Sequence, residues 1–416
     1  MISKRLSMTV LMSLALTLIL SLSSFASEKV KISYAHWGNN PGYQAKVEAF
    51  NAMQDRIEVE FVPRRMDVVE IIGGVGADAY TLWGPNIHQY ALSGFAHSLE
   101  AFYQRDADFF RDVFPPAMEA VTVRGEVWAL PHYLSGENGL WYNKTRFAEA
   151  GLSVPDHSWT WDDEYAAGQK LVRRNPDGEI TQWAFLNSTT SWSQLLVRVL
   201  TAGGEFLTES GQFAFGGEAG IRAANALIEF ARLQDGVGTG NFVRGDVAMG
   251  GHAIYYQEPI RTNRMYENFE VGATIMSRDP VTGNRSVEVA NNMELIVMNP
   301  NTQYPEETWE FMKFMLSQES HDAVYSRIGY IQMIPAKHSV ANSPVFLDQD
   351  LPNFTLDLPG FLESWANAKS IHVQNWGDVT AIINAEWAKT LAEEQPVEAF
   401  YERLQDLVPP IMGEVE

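Results

Sequence analysis

An α/β fold of two lobes joined by several crossings is what the sequence predicts, and three observations predict it. Period-two segments and helix-spaced segments take turns over the first hundred residues after an N-terminal leader, the pattern of a mostly parallel sheet covered on both faces. Near residue 121 that rhythm gives way to a hairpin and then to long helical stretches, with strand-like segments returning later. No internal repeat, low-complexity linker or charge block divides the chain, so interleaved lobes fit better than two separate beads.

The leader comes first. Lys4 and Arg5 precede a diluted apolar run over 6–22, and Ser24-Phe25-Ala26 has the small-x-small form of a cleavage site. Residues 1–26 are therefore expected to be a signal peptide cut after Ala26, leaving an exported, periplasmic chain with no membrane insertion. The apolar run is shorter than the roughly 20 residues that a spanning helix needs. The chain has no Cys, so neither a lipid anchor nor a disulfide is available, and stability must come from a large core. With 46% hydrophobic and 20% charged residues in 416, that core is affordable. A formal net charge of -22 repels nucleic acid and anionic lipid.

Each element then follows in order. "KVKISYAH" (29–36) alternates and reads as a strand, Tyr43 to Met53 as a helix, "IEVEFV" (57–62) as a second strand. Val68 to Val75 is a short helix, Asp78 to Leu82 a buried strand, and Pro85 to Ser93 a helix opened by proline. "VTVRGEVWALP" folds as a hairpin turning at Arg124-Gly125. In "LPHYLSGENGLWYNK" an apolar run ends at Pro131, a polar turn covers 135–139, and a strand restarts at Leu140. Helices are expected over 160–173, where Thr160 caps three acids, and over 192–202, 219–234, 305–316, 320–328, 379–393 and 396–407. Strands recur at 269–275 and 294–298.

Catalytic signatures are missing: no Gly-x-Ser-x-Gly elbow, no His-Glu-x-x-His, no phosphate loop. The run Gly74-Val-Gly76-Ala-Asp-Ala79 mimics a dinucleotide fingerprint in the wrong structural order. His36, His88, His132 and His252 lie near strand ends or turns without metal-ligand spacing, so no cofactor and no metal is expected. Glu137 could be one carboxylate of a glycosidase, but the sequence nominates no second. Aromatic placement carries more. Among twelve Trp, Trp37 stands with Asn39 and Asn40, Trp83 with Asn86, Trp192 after "NSTTS", and Trp376 after Asn375. A Trp beside Asn, Gly and Ser at the carboxyl edge of a strand suits a pocket for a small amphipathic molecule.

With those segments in view, the chain resembles the extracellular solute-binding proteins of the carbohydrate-uptake class, the group that includes maltose-binding protein. The resemblance is carried, in order, by "ADAYTLWGPNIHQYALSGFAHSLEAF", "VRGEVWALPHYLSGENGLWYNKTRFAEAGLSVPDHSWTWDDEY", "NFVRGDVAMGGHAIYY" and "PEETWEFMKFMLSQESHDAVYSRIGYIQMIPA". It departs at 252–256, where "HAIYY" stands in place of the family's Gly-x-Trp.

The resemblance implies a two-lobed, type II-like periplasmic-binding-protein fold, each lobe a mixed sheet flanked by helices, with a ligand cleft between them. One lobe would take 28–135 plus 290–338, the other 136–289 plus 339–416. It makes 130–144 the first crossing, with Gly136 and Gly139 as hinge glycines and Tyr133, Glu137 and Asn138 on the cleft floor. Tyr255 and Tyr256 would replace the missing Trp, and Asn292 and Gln332, beside the second and third crossings, complete the ligand-facing set. The expected ligand is a carbohydrate, with a polyamine, a glycerol phosphate or a secreted glycoside-active enzyme as alternatives. The expected partner is the membrane permease of an ABC importer, and the protein is expected to be monomeric.

Overall fold

The computed structural model describes residues 29–413, so the expected signal peptide lies outside the described residues. The first sheet opens with β1 (Val30–Ala35), β2 (Ile57–Val62) and β3 (Ala79–Trp83). β1 pairs in parallel with both neighbours. The helix Pro41–Met53 connects β1 to β2, started by Pro41 and capped by Asn40, whose side chain accepts from the Gly42 N–H. Next comes the hairpin β4 (Thr122–Val123) and β5 (Glu126–Val127), whose turn residues Arg124 and Gly125 have φ of 53° and 77°.

β6 (Leu130–Leu134) belongs to the first sheet, after which the chain leaves it. The second sheet is built from β7 (Gly139–Asn143), β8 (Arg173–Arg174), β9 (Ile180–Phe185), β10 (Val247–His252) and β11 (Val271–Ile275). The chain then returns for β12 (Met293–Met298) and β13 (Ile334–Pro335), and crosses once more to β14 (Phe354–Leu356). The resulting orders are β13-β6-β12-β3-β1-β2 and β14-β11-β7-β10-β9-β8. Both sheets are mixed, because strands that re-enter after a crossing run against their neighbours: β12 is antiparallel to β3 and β6, and β7 to β10 and β11. The mostly parallel sheet expected from the early alternation holds only for β1 to β3.

Three local readings need correction. The strand at 130 does not end at Pro131 but runs to Leu134, and a register shift against β12 between Glu294 and Leu295 lets it pass the proline. β9, β14 and the helix Leu358–Ala366 have no counterpart in the sequence reading. The short helices His338–Ala341 and Pro344–Leu347 still pack on the first-lobe helix Gln318–Ile328, so first-lobe material continues past 338. The C-terminal helices Trp376–Leu391 and Val397–Leu407 pack on Trp192–Thr201 and Gly217–Leu233, respectively, in the second lobe. Among the described residues no helix is long and apolar enough to cross a membrane.

Candidate ligand-binding cleft

Register brings one edge of the first sheet to a single line. β1 and β3 are parallel and end at Ala35 and Trp83, while antiparallel β12 begins at the same edge, with Glu294 paired to Trp83. β6 ends there beside β12, and β13 begins there beside β6, with Ile334 opposite Leu134. The segments following or preceding these ends, 36–41, 83–86, 135–138 and 332–333, therefore crowd one rim. The second sheet presents its own rim through the start of β7 and the ends of β10 and β11, since Gly139 pairs with both His252 and Ile275.

The rims meet at the crossings. The Ile254 N–H donates to the carbonyls of Ser135 and Gly136, and the Gln194 side chain donates to the Glu137 carbonyl at 2.9 Å. Gly136 has φ 60°, the left-handed conformation a glycine adopts without penalty. Gly139 serves differently from the expected hinge: its conformation is ordinary, but an added Cβ would lie 2.5 Å from the His252 carbonyl oxygen, so it is there for close strand approach.

Two cavities open along the first rim and share a wall made of Trp37 and Trp83. One, of about 520 Å³, is bounded by His36, Trp37, Asn39, Asn40, Trp83, Glu294, Gln332 and Met333 of the first lobe, and by Tyr255 and Glu258, which follow β10. The other, of about 480 Å³, lies within the first lobe and is lined by Arg65, Asp67, Thr81, Asn86 and Gln89 with the rings of Tyr80, Tyr90 and Phe95.

Beneath the larger cavity lies a buried polar chain. Glu294 Oε1 accepts from the Tyr43 hydroxyl and from His132 Nδ1 at 3.1 Å. The other nitrogen of His132 therefore accepts, and it meets Lys46 Nζ at 2.8 Å; Lys46 also donates to the Met315 carbonyl and to His321 Nε2. Burial pushes the Glu294 carboxyl up, but the imidazoles beside it, His132 in hydrogen-bond contact and then His36 nearby, outweigh that and hold it at about 2. His132 is pushed down to about 3 by burial and then by Lys46. Lys46 itself is lowered by burial, with Glu294 opposing.

At the crossings the balance reverses. Glu288 is fully buried and accepts only from backbone, the Asn138 N–H at 3.2 Å and the Val289 N–H at 2.8 Å. Burial, and then the charge of Glu137, push it up to about 8. Glu137 is raised by its own burial, partly offset by the Ser135 hydroxyl at 2.9 Å.

Of the residues nominated from sequence, Trp37, Asn39, Asn40, Trp83, Tyr255 and Gln332 line the larger cavity and Asn86 the smaller. Trp192 and Trp376 stand 5.6 Å apart on the second lobe, and the helix that Trp376 starts packs against the Gly84–Asn86 turn. His372, just before that helix, meets His88 of the first lobe at 2.9 Å. Others fall elsewhere. Tyr133 is 1% exposed and packs in the core over Lys46. Asn138 is also buried, donating to Ser286 and Ser364. Glu137 is half-buried in the crossing, outside both cavities, and Asn292 holds Ser135 through its backbone carbonyl. Tyr256 stacks on His252 rather than lining a cavity, and Asn375 ties down the Ile411 carbonyl. Sequence reading missed Glu294, Glu258 and Asp67, and passed over His36 as one of several scattered histidines. Only the pairing of β3 with β12 brings His36 and Glu294 to the same floor.

Residues 36–322 match the family model described as bacterial extracellular solute-binding protein. Solved structures are similar over nearly the whole chain. An ABC substrate-binding protein from Listeria monocytogenes, in complex with cycloalternan, is 19% identical at a TM-score of 0.77, covering 93% of this chain and 100% of that one. The cyclic alpha-maltosyl-1,6-maltose binding protein from Arthrobacter globiformis is 21% identical at 0.75, covering 92% and 99%. The GacH receptor of Streptomyces glaucescens, described unliganded and with acarbose, is 16% identical at 0.74, covering 94% and 100%. A search of curated proteins returns no match.

Proposed function

The chain belongs to the bacterial extracellular solute-binding protein family, and on that premise we propose that it captures a saccharide between its lobes in the periplasm and delivers it to the permease of an ABC importer. The observation that carries this reading is the larger cavity, which sits at the junction of the two rims and combines three aromatic rings with amide and carboxylate groups. The apolar C–H faces of a sugar lie on Trp37, Trp83 and Tyr255, while its hydroxyls pair with Asn39, Gln332 and Glu258. A saccharide polar group buried without a partner costs about 1 to 3 kcal/mol, and this sets specificity. The structural neighbours described with cycloalternan, cyclic maltosyl-maltose and acarbose support the carbohydrate class.

Transport follows from differential affinity. Ligand touching both lobes gains contacts only when the cleft closes, so it shifts the population toward the closed form, which docks on the permease. The chain acts as a binding protein and not as a hydrolase. The larger cavity has no Lys or Arg in its wall, and the smaller has both Arg65 and Asp67 in its lining, which disfavours the glycerol phosphate alternative.

Thermal unfolding of the mature protein against mono-, di- and oligosaccharides tests the reading. A ligand at a hundred times its dissociation constant adds about 2.7 kcal/mol, a rise of several degrees. A saccharide that raises the midpoint and is recovered intact is the expected result. Recovery of cleaved sugar, or a rise with glycerol phosphate alone, overturns it.

A further inference from the structure

We propose that the floor of the larger cavity recognises a protonated amine, so that the solute is an amino sugar; this rests on the saccharide reading above. The floor is made by His36 and Glu294, whose side chains are 4% and 2% exposed and both border the cavity. His36 Nε2 has no hydrogen-bond partner, and it lies 3.9 Å from Glu294 Oε2, too far for a hydrogen bond. The other carboxylate oxygen is already taken by Tyr43 and His132.

The tautomer of His36 is fixed by what it touches. Nδ1 lies 3.1 Å from the Gly38 carbonyl oxygen, which can only accept, so Nδ1 carries the hydrogen and a neutral His36 offers a lone pair at Nε2. In that tautomer two acceptors face each other on the buried floor of the cavity. A group seated between them must bring two hydrogens to satisfy both. A sugar hydroxyl has one; an ammonium has three.

The rest of the cavity fits the same group. Glu258 supplies a second carboxylate, and no Lys or Arg lines the wall. Lys46 offsets the Glu294 charge only from behind His132, and its contacts are with His132, His321 and the Met315 carbonyl, so it gives no hydrogen to the cavity. The faces of Trp37, Trp83 and Tyr255 favour a cation over a neutral hydroxyl. The smaller cavity, with Arg65 and Asp67 together, has no such bias and suits neutral sugar.

Calorimetric titration of the full mature chain tests this with matched pairs: glucosamine against glucose, galactosamine against galactose, and the β-1,4-linked glucosamine disaccharide against cellobiose. Maltodextrins serve as further neutral probes and 1,4-diaminobutane as a sugar-free amine. The expected result is an amino sugar bound at least 10-fold more tightly than its neutral partner. That ratio should fall by several fold in both E294Q and E258Q, the latter lying on the wall and outside the buried chain. Equal or tighter binding of neutral sugars overturns the amine assignment while the saccharide reading stands. Binding of the diamine as tightly as any sugar, or of no saccharide at all, overturns both.

Discussion

Glu288 and Glu294 lie six residues apart on the segment that brings the chain back to the first sheet, and both are fully buried, yet one is pushed up to about 8 and the other held at about 2. Burial is the same; the neighbours are not. Glu294 meets a tyrosine hydroxyl and an imidazole N–H, with Lys46 completing the chain behind it. Glu288 meets two backbone N–H groups and the like charge of Glu137. Donors and counter-charges, rather than depth, decide which buried carboxylate stays ionised. The cavity floor therefore keeps a negative charge at neutral pH, while the crossing holds a carboxyl that prefers its proton.

The largest effect is expected from E294Q, which removes the charge the buried chain is organised around. Breaking a buried pair by neutralising one member costs about 3 to 5 kcal/mol, readable in urea unfolding at pH 7. The variant should also lose its acid limb. Because Glu294 is depressed from an ordinary 4.5 to about 2, its stabilisation is present above pH 4.5 and is lost as pH falls through 2, about 3 kcal/mol in all. A variant as stable as the parent would show that Glu294 is a spectator.

Next in size is E137Q, which removes the like charge beside Glu288. A carboxyl raised from 4.5 to about 8 binds more protons in the folded state, so its stabilisation is complete below pH 4.5 and disappears as pH rises through 8. Without Glu137 the Glu288 carboxyl comes down, and stability at pH 8 should rise by about 1 to 2 kcal/mol relative to pH 5. An unchanged slope between pH 5 and 8 would show that the two carboxyls do not interact.

Much of this architecture was legible beforehand, and the gaps have physical causes. β1 and β2 largely alternate in step with their burial, β3 is buried along most of its length as its apolar run requires, and the Thr160–Asp163 capping box starts the helix Trp161–Leu171. β9 was not legible because its polarity is inverted: Gln182 points inward to bond the Leu171 carbonyl, while Trp183 is half exposed. In the cleft, Trp37 and Trp83 declared themselves by ending strands beside Asn and Gly. Tyr133 looked equivalent, but β6 is buried on both faces, so no alternation separated the side facing the cleft from the core. The Glu294 chain joins residues from five distant segments, and no local spacing reports such a meeting.

The smallest effect expected, from G136A, separates backbone from charge at the crossing. Gly136 holds φ 60°, where a Cβ costs about 1 kcal/mol, and the new methyl would stand 3.2 Å from Phe361. Neither penalty involves a proton. The loss should therefore be the same at pH 5 and pH 8 in urea unfolding, in contrast to E137Q one residue away, whose effect is confined to the alkaline side. Equal pH profiles for the two variants would mean that the crossing responds to any perturbation by loosening as a whole, and that the high Glu288 value reflects its burial alone. Divergent profiles would show that a rigid backbone turn and a titrating carboxyl pair act independently at this crossing between the lobes.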